Sequence, residues 1–232
     1  MRAAFSLIAI ATLVTGCFGG GKNNDGSPGQ TDGGSADQQA LCSADYPCGP
    51  FGTQKETIIQ NHAFQGFADS DDLCKKSQDK ALDTSKLTDL SFGQWFKAPT
   101  KCPAQQKKLL WIMVSAGWCG PCKDEITSIQ KQYAVGGLDP QVEVLNVLFE
   151  DDRRKPATEA FGKTWASSLG MTFPLALDPK FTMGKYFDRN AVPINMLIDL
   201  RTMKIFYKQT GANLPAVGRQ MVDFLDRLKR QP

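Results

Sequence analysis

The sequence predicts an α/β fold, a central mixed sheet flanked by helices, with an extra strand-helix insertion and an N-terminal extension. Three observations predict it. Residues 108–116 run through Leu109, Leu110, Trp111, Ile112, Met113 and Val114 in succession, the pattern of a strand buried on both faces. Strand and helix patterns then alternate to the end of the chain. In residues 213–230, Val217, Met221, Phe224, Leu225 and Leu228 fall on one helical stripe, as docking onto a sheet requires.

The elements follow in order from residue 1. Met1-Arg2 gives a short positive start, residues 3–14 are almost unbroken apolar, and Val14-Thr15-Gly16-Cys17 closes the run. That run falls short of the roughly 18–20 residues a spanning helix needs, so residues 1–16 read as a signal peptide. The small residues before Cys17 resemble the bacterial lipobox, whose cysteine is acylated and becomes the new N-terminus. The competing reading is an ordinary secretory leader with an incidental cysteine. Residues 17–41 then read as a flexible tether. Their Gly, Asp, Asn, Ser and Gln cannot bury a core, and the 19–40 stretch would reach about 75 Å stretched and about 27 Å as a coil.

Residues 42–106 read as an N-terminal extension with edge strands. The segment 46–52 is dense in turn formers, 57–67 has the alternation of an edge hairpin, and 75–86 is a polar surface helix or loop. His62 is expected at the surface or in that hairpin, without a catalytic role. Residues 107–232 form the core. After the strand at 108–116 come a helix at 121–133 with Ile126, Ile129 and Tyr133 on one face, and a strand at 142–149. A helix follows at 156–169, with Pro156 in its first turn and Gly170 after its end. Next are a short strand at 173–177, a short helix at 179–187, a hairpin of 194–200 with 203–208, and a final helix capped by Asn213. Trp95, Trp111 and Trp165 are expected to pack.

Charge excludes little and suggests little. The net charge is +3, and basic residues interleave with acidic ones, so no nucleic-acid footprint stands out. The seven cysteines say more. Cys17 is the anchor, and Cys119 and Cys122 form a CxxC pair. Cys42, Cys48, Cys74 and Cys102 make an even set in a chain read as exported, which points to two structural disulfides. Three connectivities are open; Cys42–Cys48 with Cys74–Cys102 is preferred because the first is local and the second staples the segment before the central strand. None of these four forms a CxxC half-site and the chain has one histidine, so no metal is expected.

The chemistry lies in Trp118-Cys119-Gly120-Pro121-Cys122, where a buried strand becomes a helix. Backbone N–H groups at a helix start favour the thiolate of Cys119, the form that attacks a disulfide. Cys122, one turn on, can attack the mixed disulfide that results. Gly120 lets the chain turn, and Pro121 has no N–H to leave unsatisfied.

This pentapeptide is that of the thioredoxin active site, and residues 55–230 resemble the thioredoxin superfamily. The insertion at 173–187 resembles its membrane-associated TlpA/ResA branch, redoxin-type proteins that are extracytoplasmic and reduce disulfides. The resemblance implies a cis-proline loop at Val192-Pro193, whose Val192 backbone would pair with substrate beside Cys119; a plain proline at a strand start is the alternative. It also implies that Glu125 tunes proton transfer, against the alternative of an exposed acid favouring the helix N-terminus. One position departs. Thioredoxin keeps a buried carboxylate six residues before the first active-site cysteine, and Met113 stands here.

The expected function is extracytoplasmic thiol-disulfide exchange with protein substrates, by a lipid-anchored monomer on a bacterial membrane. It needs no cofactor beyond the cysteine pair and takes electrons from an envelope or membrane thiol donor. A peroxiredoxin-like enzyme would need PxxxTxxC, and Ile112 and Ala116 occupy the proline and threonine positions. A non-catalytic binding lipoprotein is the third reading, opposed by the intact pentapeptide. CxxC spacing with no later histidine disfavours Sco-type copper delivery, and no long helical insertion suggests a DsbA-like oxidase.

Overall fold

The structure, a computed structural model, describes residues 46–68, 81–96, 107–134 and 136–230. The segments read as leader and tether, with Cys17, and Cys42, Cys74 and Cys102 lie outside the described residues. Cys48 lies inside them and is disulfide-bonded.

Seven strands form one mixed sheet: β1 (Ala63–Phe67), β2 (Thr88–Ser91), β3 (Leu109–Ala116), β4 (Val142–Glu150), β5 (Leu175–Leu177), β6 (Ile194–Asp199) and β7 (Lys204–Thr210). Their order is β2-β1-β5-β4-β3-β6-β7. β3 pairs in parallel with β4 and β4 with β5, while β6, β7, β1 and β2 join antiparallel. Among the described residues three α-helices accompany them, α1 (Gly120–Ala134), α2 (Glu159–Ser168) and α3 (Leu214–Lys229), with short 3-10 turns at Phe92–Trp95 and Thr182–Tyr186. No described helix is long and apolar enough to cross a membrane.

Alternation along β3 builds two cores. Leu109, Trp111 and Met113 face one side, where Ile126 and Ile129 of α1, Trp165 of α2 and Val217, Met221 and Phe224 of α3 are buried with them. The side chain of Tyr133, expected beside Ile126 and Ile129, lies outside the described residues. Leu110, Ile112, Val114 and Ala116 face the other side, with Tyr46, Ile59, Phe92, Trp95, Met183 and Tyr186. The three described α-helices therefore line one face, and the described residues before β3 and the 3-10 turns cover the other. The topology explains this. The chain steps from β3 to β4 to β5 in one direction, and right-handed crossovers then put both connecting helices on the same side.

The reading of residues 57–67 as an edge hairpin is corrected. Only Ala63–Phe67 is a strand, and it lies inside the sheet between β2 and β5. Gly66 permits that closeness, since a Cβ there would run into the Leu175 carbonyl and the Leu90 side chain. Residues 56–59 instead bind the β7 hairpin, through Glu56 N–H to Ile205 O, Ile205 N–H to Thr57 O and Ile59 N–H to Met203 O.

His62 is corrected too. It is buried, with Nε2 3.1 Å from the Tyr186 hydroxyl and its ring among Phe64, Phe92 and Tyr186. Burial, with Lys185 nearby, pushes its pKa down to about 4, so it stays neutral near pH 7. Helix α2 starts later than residue 156. Pro156 and Ala157 are drawn to the end of β4 (Ala157 N–H to Phe149 O, 3.0 Å), and Thr158 caps the helix by accepting from Phe161 N–H at 3.2 Å. Asn213 caps α3 as expected, accepting from Ala216 N–H at 3.2 Å.

Candidate functional site

β3 delivers the dithiol. The strand ends at Ala116, Gly117 donates its N–H to Glu150 O at the end of β4 (2.8 Å), and Cys119 N–H bonds Ala116 O (3.0 Å), turning the chain into α1. Cys119 and Cys122 are joined as a disulfide, their Cα atoms 5.3 Å apart. The backbone N–H of Cys122 points at Cys119 Sγ, 3.1 Å away. An N–H of the helix's first turn thus faces the leading sulfur, where it stabilises negative charge once the bond is reduced. Cys119 is 3 % exposed and Cys122 not at all. Gly120 and Pro121 are exposed beside them, and Trp118 and Val192 are half-buried.

The Val192–Pro193 peptide is cis. Pro193 O accepts from Gly211 N–H at 2.7 Å, fixing the loop to the far end of β7. Neither backbone polar group of Val192 has a hydrogen-bond partner among the described residues.

Glu125 is buried, not an exposed acid at the helix start. Both its oxygens accept from Asn195 Nδ2, at 3.0 and 3.1 Å. Asn195 lies directly opposite Met113 in the β3–β6 register. The helix thereby brings a carboxylate to the strand neighbour of Met113, the position where thioredoxin would carry its own. Burial pushes the Glu125 pKa up to about 7, and the Asn195 amide opposes the rise.

That shift makes folding pH-dependent. A carboxyl whose pKa is raised by folding holds its proton longer when folded, so the Glu125 contribution to stability falls as pH climbs from about 4.5 to about 7 and is level above. Glu125→Gln removes this component. The variant is expected to gain roughly 3 kcal/mol on the wild type between pH 4 and 8, read as the difference between their urea unfolding curves.

Two site residues escaped the sequence reading. Asn195 sits in an apolar strand run, where nothing marks it as an inward-facing partner of Glu125. Glu150, at the end of β4, accepts from Trp118 Nε1 (2.7 Å) and pairs with Arg189 Nε (2.8 Å). Arg154 lies over the Trp118 ring, 3.9 Å from its centre. An acid ending an apolar strand beside the CxxC loop was the available signal for Glu150.

No family model matches the chain, and no curated protein matches it in sequence. Solved structures do match in fold. AhpC of Enterococcus faecalis aligns with a TM-score of 0.53 at 14 % identity, over 75 % of this chain and 94 % of that one. The reduced 2-Cys peroxiredoxin of Plasmodium vivax aligns at 0.51 with 13 % identity, over 77 % and 85 %. A DsbF homologue from Corynebacterium diphtheriae aligns at 0.50 with 12 % identity, over 75 % and 90 %. The fold is thioredoxin-like.

Proposed function

We propose that this thioredoxin-fold chain is a thiol-disulfide oxidoreductase that reduces protein disulfides through Cys119 and Cys122. The observation that carries the proposal is the CxxC disulfide at the start of α1, with the Cys122 N–H aimed at Cys119 Sγ. In the reduced protein the Cys119 thiolate attacks a substrate disulfide, forming a mixed disulfide and expelling one substrate thiolate, which takes up a proton. The Cys122 thiol gives its proton to the Glu125 carboxylate and attacks Cys119 Sγ. The second substrate thiolate leaves, and the Cys119–Cys122 bond closes. Two electrons have passed to the substrate, and an external dithiol must restore them.

Val192 would hold the substrate strand by its free backbone groups, beside Pro193. The Gly-Pro dipeptide between the cysteines favours reduction over oxidation, being the one thioredoxin carries (potential near −270 mV, against about −120 mV for DsbA). The leader and Cys17 support an extracytoplasmic, lipid-anchored protein with an envelope or membrane thiol donor. No cofactor beyond the cysteine pair is invoked.

Peroxide reduction is the second reading, because AhpC and peroxiredoxin share the fold. Ile112 and Ala116 stand where that chemistry needs proline and threonine. An insulin turbidity assay with dithiothreitol tests the proposal. The wild type is expected to hasten precipitation, and a rate equal to that of Cys119→Ser overturns it.

A further inference from the structure

Asn195 is tied at both ends. Its Oδ1 accepts from Trp111 Nε1 at 2.6 Å, and its Nδ2 donates to both oxygens of Glu125. All three side chains are buried. An indole N–H can only donate, so it holds the carbonyl end of the amide and turns the NH2 end to Glu125. The amide then offers Glu125 donors and no acceptor. A carboxylate satisfies that arrangement, whereas a protonated carboxyl finds nothing on Asn195 to receive its hydrogen.

We propose that Asn195, oriented by Trp111, is a positioning residue that holds Glu125 as an acceptor for the Cys122 proton. This rests on the reading of Glu125 as the proton acceptor in the dithiol reaction. The strand geometry supports it. Trp111 on β3 and Asn195 on β6 stand two residues apart in register, because Trp111 opposes Leu197 and Met113 opposes Asn195. The sheet therefore fixes both partners, while α1 carries Glu125 one turn beyond Cys122. Burial alone would leave Glu125 neutral near pH 7, unable to take a proton; the amide opposes this. Among the described residues no charged group acts on the Glu125 carboxyl beside these two influences, burial and the Asn195 amide, and Cys122, one turn back on α1, does not titrate in the disulfide.

The test is an NMR titration of the 13C-labelled Glu125 carboxyl in the full-length disulfide form, which needs no turnover. Losing a hydrogen bond to a charged group is worth about one to two pH units. Asn195→Leu is expected to raise the Glu125 midpoint by that amount. Trp111→Phe, which keeps an aromatic ring on β3, is expected to raise it less, and to add nothing once Asn195 is Leu. An unmoved midpoint in Trp111→Phe overturns the proposal by itself, even if Asn195→Leu does not fold, and so does an additive double variant. The two readings separate cleanly. A wild type without disulfide-reducing activity sinks the functional proposal and leaves these shifts in place, whereas activity with an unmoved Glu125 sinks the positioning role alone.

Discussion

The Cys122→Ser protein is expected to accumulate as a mixed disulfide with its substrate and to lose multiple turnover by about a thousandfold or more. The group that stabilises the Cys119 thiolate is the backbone N–H of residue 122, which serine retains. The first attack therefore survives. What disappears is the second nucleophile, because a serine hydroxyl does not ionise at neutral pH as a thiol does. Burial sharpens the contrast. Cys122 has no exposed surface and is not itself open to a substrate disulfide, while Cys119 keeps a small opening beside Gly120 and Pro121. A non-reducing gel of Cys122→Ser with an oxidised substrate should show a new band that dithiothreitol removes. Cys119→Ser should show none. An adduct from Cys119→Ser with none from Cys122→Ser would reverse the assignment of leading and resolving sulfurs.

Gly117→Ala is the substitution expected to cost most in stability among those near the dithiol. A Cβ at Gly117 would lie 2.5 Å from the Asp151 carbonyl carbon, 2.5 Å from the Phe161 ring and 2.6 Å from Asp152 N. Two of these are backbone atoms that cannot swing aside. Asp151 is itself fixed, because its Oδ1 accepts from Arg153 N–H and Lys155 N–H, each at 2.8 Å, and its own N–H bonds Lys155 O. Relief must come from separating the ends of β3 and β4, where Gly117 N–H meets Glu150 O. Overpacking of this kind costs about 1–3 kcal/mol and sometimes more, which at this chain length lowers Tm by several degrees. Calorimetry of Gly117→Ala checks it, and an unchanged Tm would mean that the Asp151 turn yields freely.

The parts of this protein legible in the sequence are those decided by local pattern. The run from Leu109 to Val114 announced a buried strand, the stripe from Val217 to Leu228 a docked helix, and the WCGPC pentapeptide the reactive pair. What stayed hidden depends on neighbours distant in the chain. The pairing of Ala63 with Ser91 joins two short strands with weak patterns of their own. His62 reads as polar, yet the Tyr186 hydroxyl, 124 residues later, makes its burial tolerable. Asn195 reads as an interruption in an apolar strand until Trp111 and Glu125 are seen at either end of its amide. Gly117 reads as a linker until the Asp151 turn is found against it. Each of these is a tertiary arrangement, and single-residue preference carries no information about it.

The described residues before β3 are not a decoration on a separable catalytic unit. Tyr46, Ile59, Phe92 and Trp95 are buried in the same cluster as Cys119 and Cys122. Tyr46 gives its hydroxyl hydrogen to Ile59 O, and the Lys208 ammonium ties Thr53 O to Tyr186 O. A fragment cut at residue 107 would open the underside of the reactive pair to water and leave Ile112 and Val114 uncovered. For expression, crystallisation or fusion, the smallest portion worth producing begins upstream of Tyr46.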